Sequence, residues 1–375
     1  MTLEPDVAKT EALLRSSPNL FVLDNAAALP DQVINDFKAE EDIAAAYVMG
    51  TLVVGRTTLI GGLRMEQNNF EANTFRFNPA TPTAPTAARA ERDYTVWLPG
   101  VHLRHALQPS LILRGSYNRS YGRPDIDLLV GGLQVDAATG NLSGGNPDLK
   151  ETVSDNFDAQ IEYYTAKGGL YSAGVFYKEI KGFCYGTTRR FTTVDAGGYP
   201  IIDNTGPFVF STTLNALGAT NYGVELIGRQ PLYFLPKPFD GLAVFLSATF
   251  TESDGKYPGR LTEKLPTYGF SDTICNAALG YNFDKFRARL SYTYRSDFLE
   301  GLDALGPIFD DYFGTYESVN WESSYQATKS LKFFLNVNNL TAEPQVSHQG
   351  FKRTDNPEDT TVYSWRATIG ASYRF

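Results

Sequence analysis

The side chains that most often do chemistry are sparse in this chain, which has 3 histidines and 2 cysteines. His102 and His105 stand three apart. On a helix that spacing would let them share a metal, but on a strand it turns them to opposite faces. His348 has no cysteine or carboxylate cluster beside it, and Cys184 and Cys275 follow no metal or redox spacing. No glycine-rich phosphate loop, nucleophile elbow or paired-carboxylate motif occurs. With 42 Asp and Glu in the chain, the nearness of any two says nothing. These residues predict no catalytic group, no metal site and no resident cofactor, so the chain is expected not to be an enzyme.

Composition narrows the classes further. The net charge of -9 disfavours nucleic acid, because no basic stripe exists to neutralise phosphates. Aromatics make up 13% of residues, as Tyr 22 and Phe 25 against Trp 3, and Gly is 33. That mixture suits long strands with aromatic ends and many turns. No run reaches the 18 or so apolar residues of a membrane helix. Met1 to Leu14 carries Glu4, Asp6, Lys9 and Glu11 and does not read as a signal peptide.

The period along the chain is two. Tyr363, Trp365, Ala367, Ile369, Ala371, Tyr373 and Phe375 alternate with Ser364, Arg366, Thr368, Gly370, Ser372 and Arg374, which places the two sets on opposite faces of one strand. Phe286, Ala288, Leu290, Tyr292 and Tyr294 alternate in the same way with Arg287, Arg289, Ser291, Thr293 and Arg295. So do Phe157, Ala159, Ile161 and Tyr163 with Asn156, Asp158, Gln160 and Glu162. Leu242 to Phe250 alternates with one exception, Phe245. Aliphatics on one face and charges on the other predict a transmembrane β-barrel, with lipid outside and water inside.

About thirteen strands are expected, at 39–54, 56–72, 93–107, 109–122, 151–165, 168–192, 217–233, 239–253, 267–283, 285–299, 312–328, 330–345 and 360–375. Short links near Gly55, Gln108, Lys167, Pro236–Pro238, Asp284 and Lys329 alternate with long ones over 73–92, 123–150, 193–216, 254–266, 300–311 and 346–359. Outer-membrane barrels have short periplasmic turns and longer external loops. The loop 123–150 is long enough to hide an extra hairpin, 79–88 reads as a Pro- and Ala-rich loop, and 5–15 as a short helix.

Several segments resemble the barrel of TonB-dependent outer-membrane receptors. Gly145-Asn146-Pro147-Asp148-Leu149-Lys150-Glu151 is similar to that family's entry to a strand after an external loop. Glu41 to Tyr47, Gly61 to Glu66, Arg114 to Tyr117 with Gly122 to Pro124, and Asn336 to Thr341 follow in the family's order, and the chain ends on Phe375. The resemblance implies an all-β, antiparallel transmembrane barrel of roughly 22 strands, of which about thirteen are here, with no plug domain visible. Residues 1–38 are then an external loop or truncated lead-in, with Met1 an internal start, and 39–375 the C-terminal barrel strands.

By the same resemblance the chain is the wall and outer vestibule of an energy-coupled importer in the bacterial outer membrane. Its ligand is a scarce small molecule such as a ferric siderophore, cobalamin or glycan. Its partners are outer-membrane lipid, the barrel-assembly machinery and, through a plug, the TonB energy complex. The stripe Ala367, Ile369, Ala371, Tyr373 and Phe375 is the expected assembly signal, and an ordinary membrane strand ending in its girdle demands the same residues. Tyr121, Arg123 and Tyr312, near loop bases, are the candidate ligand contacts, although interface girdles also explain tyrosines. Arg287, Arg289, Arg295, Arg366 and Arg374 line either a substrate path or a solvated wall. A passive porin-type channel and a soluble all-β enzyme or binding module are the competing readings.

Overall fold

A strand with one apolar and one polar face is stable only where its backbone groups are paired and its apolar face is out of water. In the computed structural model, which describes residues 7–21, 37–76, 86–130, 134–136, 141–191, 195–196, 199–200, 208–350 and 357–375, the chain meets the first condition with a 13-stranded sheet. In chain order its strands are β1 Lys38–Val54, β2 Thr57–Arg76, β3 Thr86–Gln108, β4 Leu111–Gly122, β5 Thr152–Tyr164, β6 Leu170–Lys181, β7 Gly218–Pro231, β8 Leu242–Lys256, β9 Thr273–Phe283, β10 Phe286–Arg295, β11 Tyr316–Gln326, β12 Leu331–Asn338 and β13 Arg366–Tyr373. Each pairs antiparallel with the next. A helix, Val7–Ser16, precedes them.

The register places like with like. Leu113, Ile161, Ala173, Leu226, Ala248 and Cys275 lie in one cross-strand row of the apolar face. Near the end of the chain Leu335 faces Ile369 and Phe333 faces Ala371, while Asn336 faces Thr368 and Lys332 faces Ser372 on the other side. The links expected to be short all lie on one end of the sheet; those at Gly55, Gln108 and Asp284 are two-residue turns, and the one at Pro236–Pro238 runs ten residues from Pro231 to Leu242 through a 3-10 turn at Phe239–Gly241. Asp284, at φ 51, takes the left-handed conformation that a two-residue hairpin link demands.

The opposite end departs from expectation. The segment 168–192 is not one strand, because Gly182, at φ 67, turns the chain out of the wall after Lys181. The wall strands expected at 267–283, 312–328, 330–345 and 360–375 begin or end inside those limits, at Thr273, Tyr316, Asn338 and Arg366. Their missing ends belong to a second, 8-stranded sheet or to the loops beside it. That sheet runs, edge to edge, through Pro357–Thr361, Gln345–Gln349, Asp311–Phe313, Phe298–Asp303, Cys184–Phe191, Phe208–Asn215, Asn141–Ser143 and Gln134–Asp136. The last two form the extra hairpin within 123–150. The expected loops at 73–92 and 79–88 are shorter than read, since β2 runs to Arg76 and β3 starts at Thr86; the remainder, 77–85, lies outside the described residues.

Length explains why β2 and β3 reach so far. At about 3.3 Å per residue, strands of 20 and 23 residues span roughly 65–75 Å, against an apolar band about 25 Å tall. Even tilted by about 45° they rise well past that band, and their distal ends carry charge, with Arg89 Nη2 2.9 Å from Glu71 Oε2. The outer edges of β1 and β13 have no neighbouring strand among the described residues.

Ile369 is 83% exposed on the apolar face, one residue from Thr368 on the polar face. In a complete barrel containing this chain, Ile369→Arg should cost about 2–4 kcal/mol of stability in reversible unfolding from lipid, and Thr368→Arg much less. Equal penalties at the two positions would contradict the assignment of faces.

Candidate functional site

Loops that hold a fixed shape need buried anchors, and the long-loop end has them. Tyr257, Leu265 and Leu299 are fully or almost fully buried in a cluster with Phe183, Tyr185, Leu302 and Tyr312. The Tyr257 hydroxyl donates to the Pro266 carbonyl at 2.8 Å and accepts from the Tyr268 amide at 2.8 Å. Phe183 and Tyr185 meet its ring edge-on, at centroid distances of 5.6 and 4.9 Å, a geometry worth about 0.5–1.5 kcal/mol per pair beyond burial. Burial pushes the Tyr257 and Tyr312 hydroxyls well above the ordinary phenol range, so both stay neutral.

The loop 257–272 folds over the polar face of the wall. Thr267 Oγ1 donates to Asn221 Oδ1 at 2.6 Å and the Thr267 amide donates to Ser253 Oγ at 3.1 Å; Asn221 and Ser253 are register partners on that face. Arg260 ties this loop to the next one. Its guanidinium makes five hydrogen bonds, to both oxygens of Glu263, both oxygens of Asp310 and the Asp303 carbonyl. Asp310 is fully buried and its Oδ1 also accepts from the Asp303 amide at 3.0 Å. The hydrogen bonds that Arg260 donates to Asp310 outweigh burial and hold the guanidinium firmly cationic.

Two cavities open at the long-loop end. One, of about 970 Å³, lies between the wall and the infolded loop, lined by Phe176, Phe270, Phe298 and Tyr312 with Lys264 and Asp272. Tyr312 stacks on His348 at 5.5 Å. His348 is fully buried; its Nδ1 donates to the Gly350 carbonyl at 3.1 Å, and its Nε2 stands 3.7 Å from Asp297 Oδ2 without a hydrogen bond. Arg295 sits over the Phe298 and Phe313 rings, at 4.5 and 4.7 Å.

The other cavity, of about 540 Å³, is polar. Glu41, Glu66, Asn68, Arg92, Tyr94, Tyr121 and Arg123 line it. Arg123 pairs with Glu41 at 2.8 Å, Tyr121 donates to Glu66, and Arg92 pairs with Glu151 at 3.0 Å. The Tyr94 and Tyr121 rings meet at 78°. Asn68 is 1% exposed; its amide donates to Glu41 at 2.7 Å while its Oδ1 has no partner. Asn68 thus keeps a buried, unpartnered acceptor behind the paired charges of this cavity, a local cost of the fold at this point.

The antiparallel sheet, its sorted faces and its structured mouth agree with the family comparison: the profile described as "TonB dependent receptor-like, beta-barrel" matches residues 14–340. The chain belongs to this family. The receptor barrel also superimposes on solved structures. It matches the ferric yersiniabactin uptake receptor FyuA from Yersinia pestis at 16% identity and a TM-score of 0.59, over 89% of this chain and 45% of that one. The ferric-catecholate import receptor Fiu from K12 E. coli gives 15% and 0.61, over 90% and 45%. The siderophore receptor PiuA from Acinetobacter baumannii gives 12% and 0.60, over 90% and 44%. The chain thus spans under half the length of each of these receptors. No curated protein matches it in sequence. As a member of this family it is an outer-membrane β-barrel protein, and the family is one of receptors and transporters.

Of the sequence candidates, Tyr121 and Arg123 share the polar cavity, whereas Tyr312 belongs to the aromatic one; a single site containing all three does not form. His102 lies on the polar face opposite Ser116 and His105 on the other face, its Nδ1 2.8 Å from Thr57 Oγ1. The Asn146-Pro147 motif proves to be an anchor. Leu149 is fully buried against Phe70 and Leu129, and Asn215 holds Lys150 through both backbone groups, at 2.7 and 2.9 Å. Asn68, Arg260 and Asp310 escaped the sequence reading. Arg260 and Asp310 are 50 residues apart, beyond any local pattern.

Asp310→Ala leaves Arg260, 11% exposed, with two buried bonds unmade. The loop sheet should lose about 3 kcal/mol. Hydrogen exchange in the complete receptor should accelerate across Phe298–Asp303 and stay unchanged in the centre of β5 and β6.

Proposed function

We propose that this chain forms the wall and outer vestibule of an energy-coupled receptor that imports a scarce small ligand, such as a ferric siderophore, cobalamin or glycan. The observation that carries the proposal is the loop 257–272, held by Thr267 over the polar face of the wall. A passive channel works through an open mouth; an infolded, anchored loop suits capture followed by controlled release. The family membership supports the same choice, since FyuA, Fiu and PiuA are uptake or import receptors.

Within this reading the polar cavity around Tyr121, Arg123 and Asn68 is the ligand contact, and Tyr312 supports the aromatic wall of the vestibule. Residues 39–375 are the barrel portion and 1–38 an external loop or lead-in. The barrel-assembly machinery recognises Ala367, Ile369, Ala371 and Tyr373 on the free edge strand, with Phe375 beside Tyr373 at 5.2 Å. The TonB complex acts through a plug seated in the lumen. No bond is made or broken by these residues.

The test is uptake by the complete receptor in a receptor-deficient strain, across labelled ferric siderophores, cobalamin and oligosaccharides. Accumulation should stop when the proton gradient is collapsed; undiminished entry would favour a passive channel. Tyr121→Phe and Arg123→Ala should each weaken binding of the transported ligand about tenfold, by removing hydrogen bonds to charged groups. For sidedness, a cysteine at Leu305, 56% exposed on the loop side, should label from outside intact cells, and one at Lys329, in a short turn, should not.

A further inference from the structure

The apolar, outward face of the wall is hollowed between β4 and β10. A groove of about 760 Å³ lies there, and no charged side chain lines it. Four neighbouring strands, β6 to β9, each give it a small residue: Ala173, Gly228, Ala248 and Ala277. Every one of these faces a large residue across the register. Tyr171 and Leu246 flank Gly228, Leu226 stands opposite both Ala173 and Ala248, and Leu246 stands opposite Ala277. The outer surface of a barrel is convex, so curvature does not hollow it. The alternation of small with large side chains does.

Width limits what can enter. The groove follows two rows of side chains that lie two residues apart along each strand, or about 6.6 Å. An α-helix with its side chains is about 10–12 Å across and rides over such a slot, and the convex wall of a second barrel cannot reach its floor. A single hydrocarbon chain fits, and the slot is continuous with the face already turned to lipid. Cross-strand rows run perpendicular to the strands, and strands of membrane barrels tilt by about 35–45°, so the groove slants across the apolar band. Its lower end is at the short turns, where Leu111 opens β4 opposite Tyr163 of β5.

Charge decides which leaflet supplies the chain. The turns that join β5 to β6 and β7 to β8 carry exposed Lys167 and Lys237, against one carboxylate, Asp240. The second turn also exposes Tyr233, Phe234 and Phe239. Aromatic rings beside a cation suit the headgroup level of a bilayer, and the ammonium groups suit a phosphate. Toward the long-loop end of the same face Tyr222 and Tyr292 donate to Glu252 and Glu317, at 3.3 and 3.2 Å. Those carboxylates repel a phosphate.

We infer that this groove is a site for one phospholipid of the leaflet at the short-turn end, its acyl chain over Gly228 and Ala248 and its phosphate at Lys167 and Lys237. Bulk lipid wets the whole outer face and exchanges freely; this site retains a single molecule. The inference rests on the membrane-facing wall alone and is independent of the import reading.

Native mass spectrometry of the complete receptor tests it, after release from nanodiscs of palmitoyl-oleoyl phosphatidylglycerol and phosphatidylethanolamine in equal amounts. One phospholipid per barrel should stay bound, with phosphatidylglycerol in excess. Gly228→Leu with Ala248→Leu fills the groove and should lower the retained fraction about fivefold. Leu290→Phe, exposed on the same face outside the groove, should leave it unchanged. Lys167→Gln with Lys237→Gln should abolish the preference for phosphatidylglycerol. Barrel formation in each variant is checked by protease resistance; if the double filling fails that check, Ala248→Leu alone should still lower retention. No retained phospholipid, retention indifferent to filling, or a headgroup preference indifferent to the lysines would overturn the inference. So would a lipopolysaccharide retained in its place by receptor taken directly from cells, which would assign the groove to the other leaflet. Ligand uptake is measured separately, so failure of the lipid site leaves the receptor reading intact.

Discussion

Backbone amides and carbonyls have no water to turn to inside a bilayer, and each one left unpaired there costs several kcal/mol. Everything else in this chain is arranged around that constraint. It requires unbroken pairing from β1 to β13, and pairing fixes which side chains share a face. Once Leu113 is in register with Ile161, the whole row through Ala173, Leu226 and Ala248 follows. A shift of one residue in any strand would send arginines toward lipid and leucines toward water. The register is therefore set many times over, and no single contact carries it.

The mouth is stabilised differently. Outside the bilayer, water satisfies loose backbone, so loops there have no obligation to order. They are ordered because specific side chains close them: Tyr257 at the centre of an aromatic cluster, Asn215 on Lys150, and Arg260 between two loops. Arg260 uses every donor of its guanidinium, which removes the usual penalty for burying a charge. The loop sheet also pairs segments from different hairpins in parallel, Asp303 with Thr188 and Ser211 with Ser143, which no local turn could arrange.

That division decides what was legible in the sequence. Alternation is a local property, so the faces of β5, β10 and β13 could be read from the spacing of Phe157, Phe286 and Ile369 alone. Short turns were legible for the same reason. The ends of the wall strands were not, because a strand leaving the wall for the loop sheet keeps its extended, β-prone sequence; Cys184–Phe191 is extended on both readings and differs only in its neighbours. Tyr121 and Arg123 could be read as loop-base residues because they close a strand, and both line the polar cavity. Asn68 was hidden, since an asparagine on the polar face of a strand looks like any other until Glu41, from the neighbouring strand, is placed against it.

The same division accounts for how the fold persists at 12–16% identity to FyuA, Fiu and PiuA. Backbone pairing is indifferent to side-chain identity, and alternation asks only for a class of residue at every second position. Neither resists drift as long as the class is kept. A ligand contact asks for more, since it needs a particular donor or acceptor at a particular distance. The polar cavity and the loop anchors lie where the wall imposes the least, beyond the apolar band. On the proposed reading, a change at Arg123 can therefore alter what is bound without disturbing the register beneath it, and a change at Ile369 or Leu335 weakens the lipid-facing wall without touching the ligand.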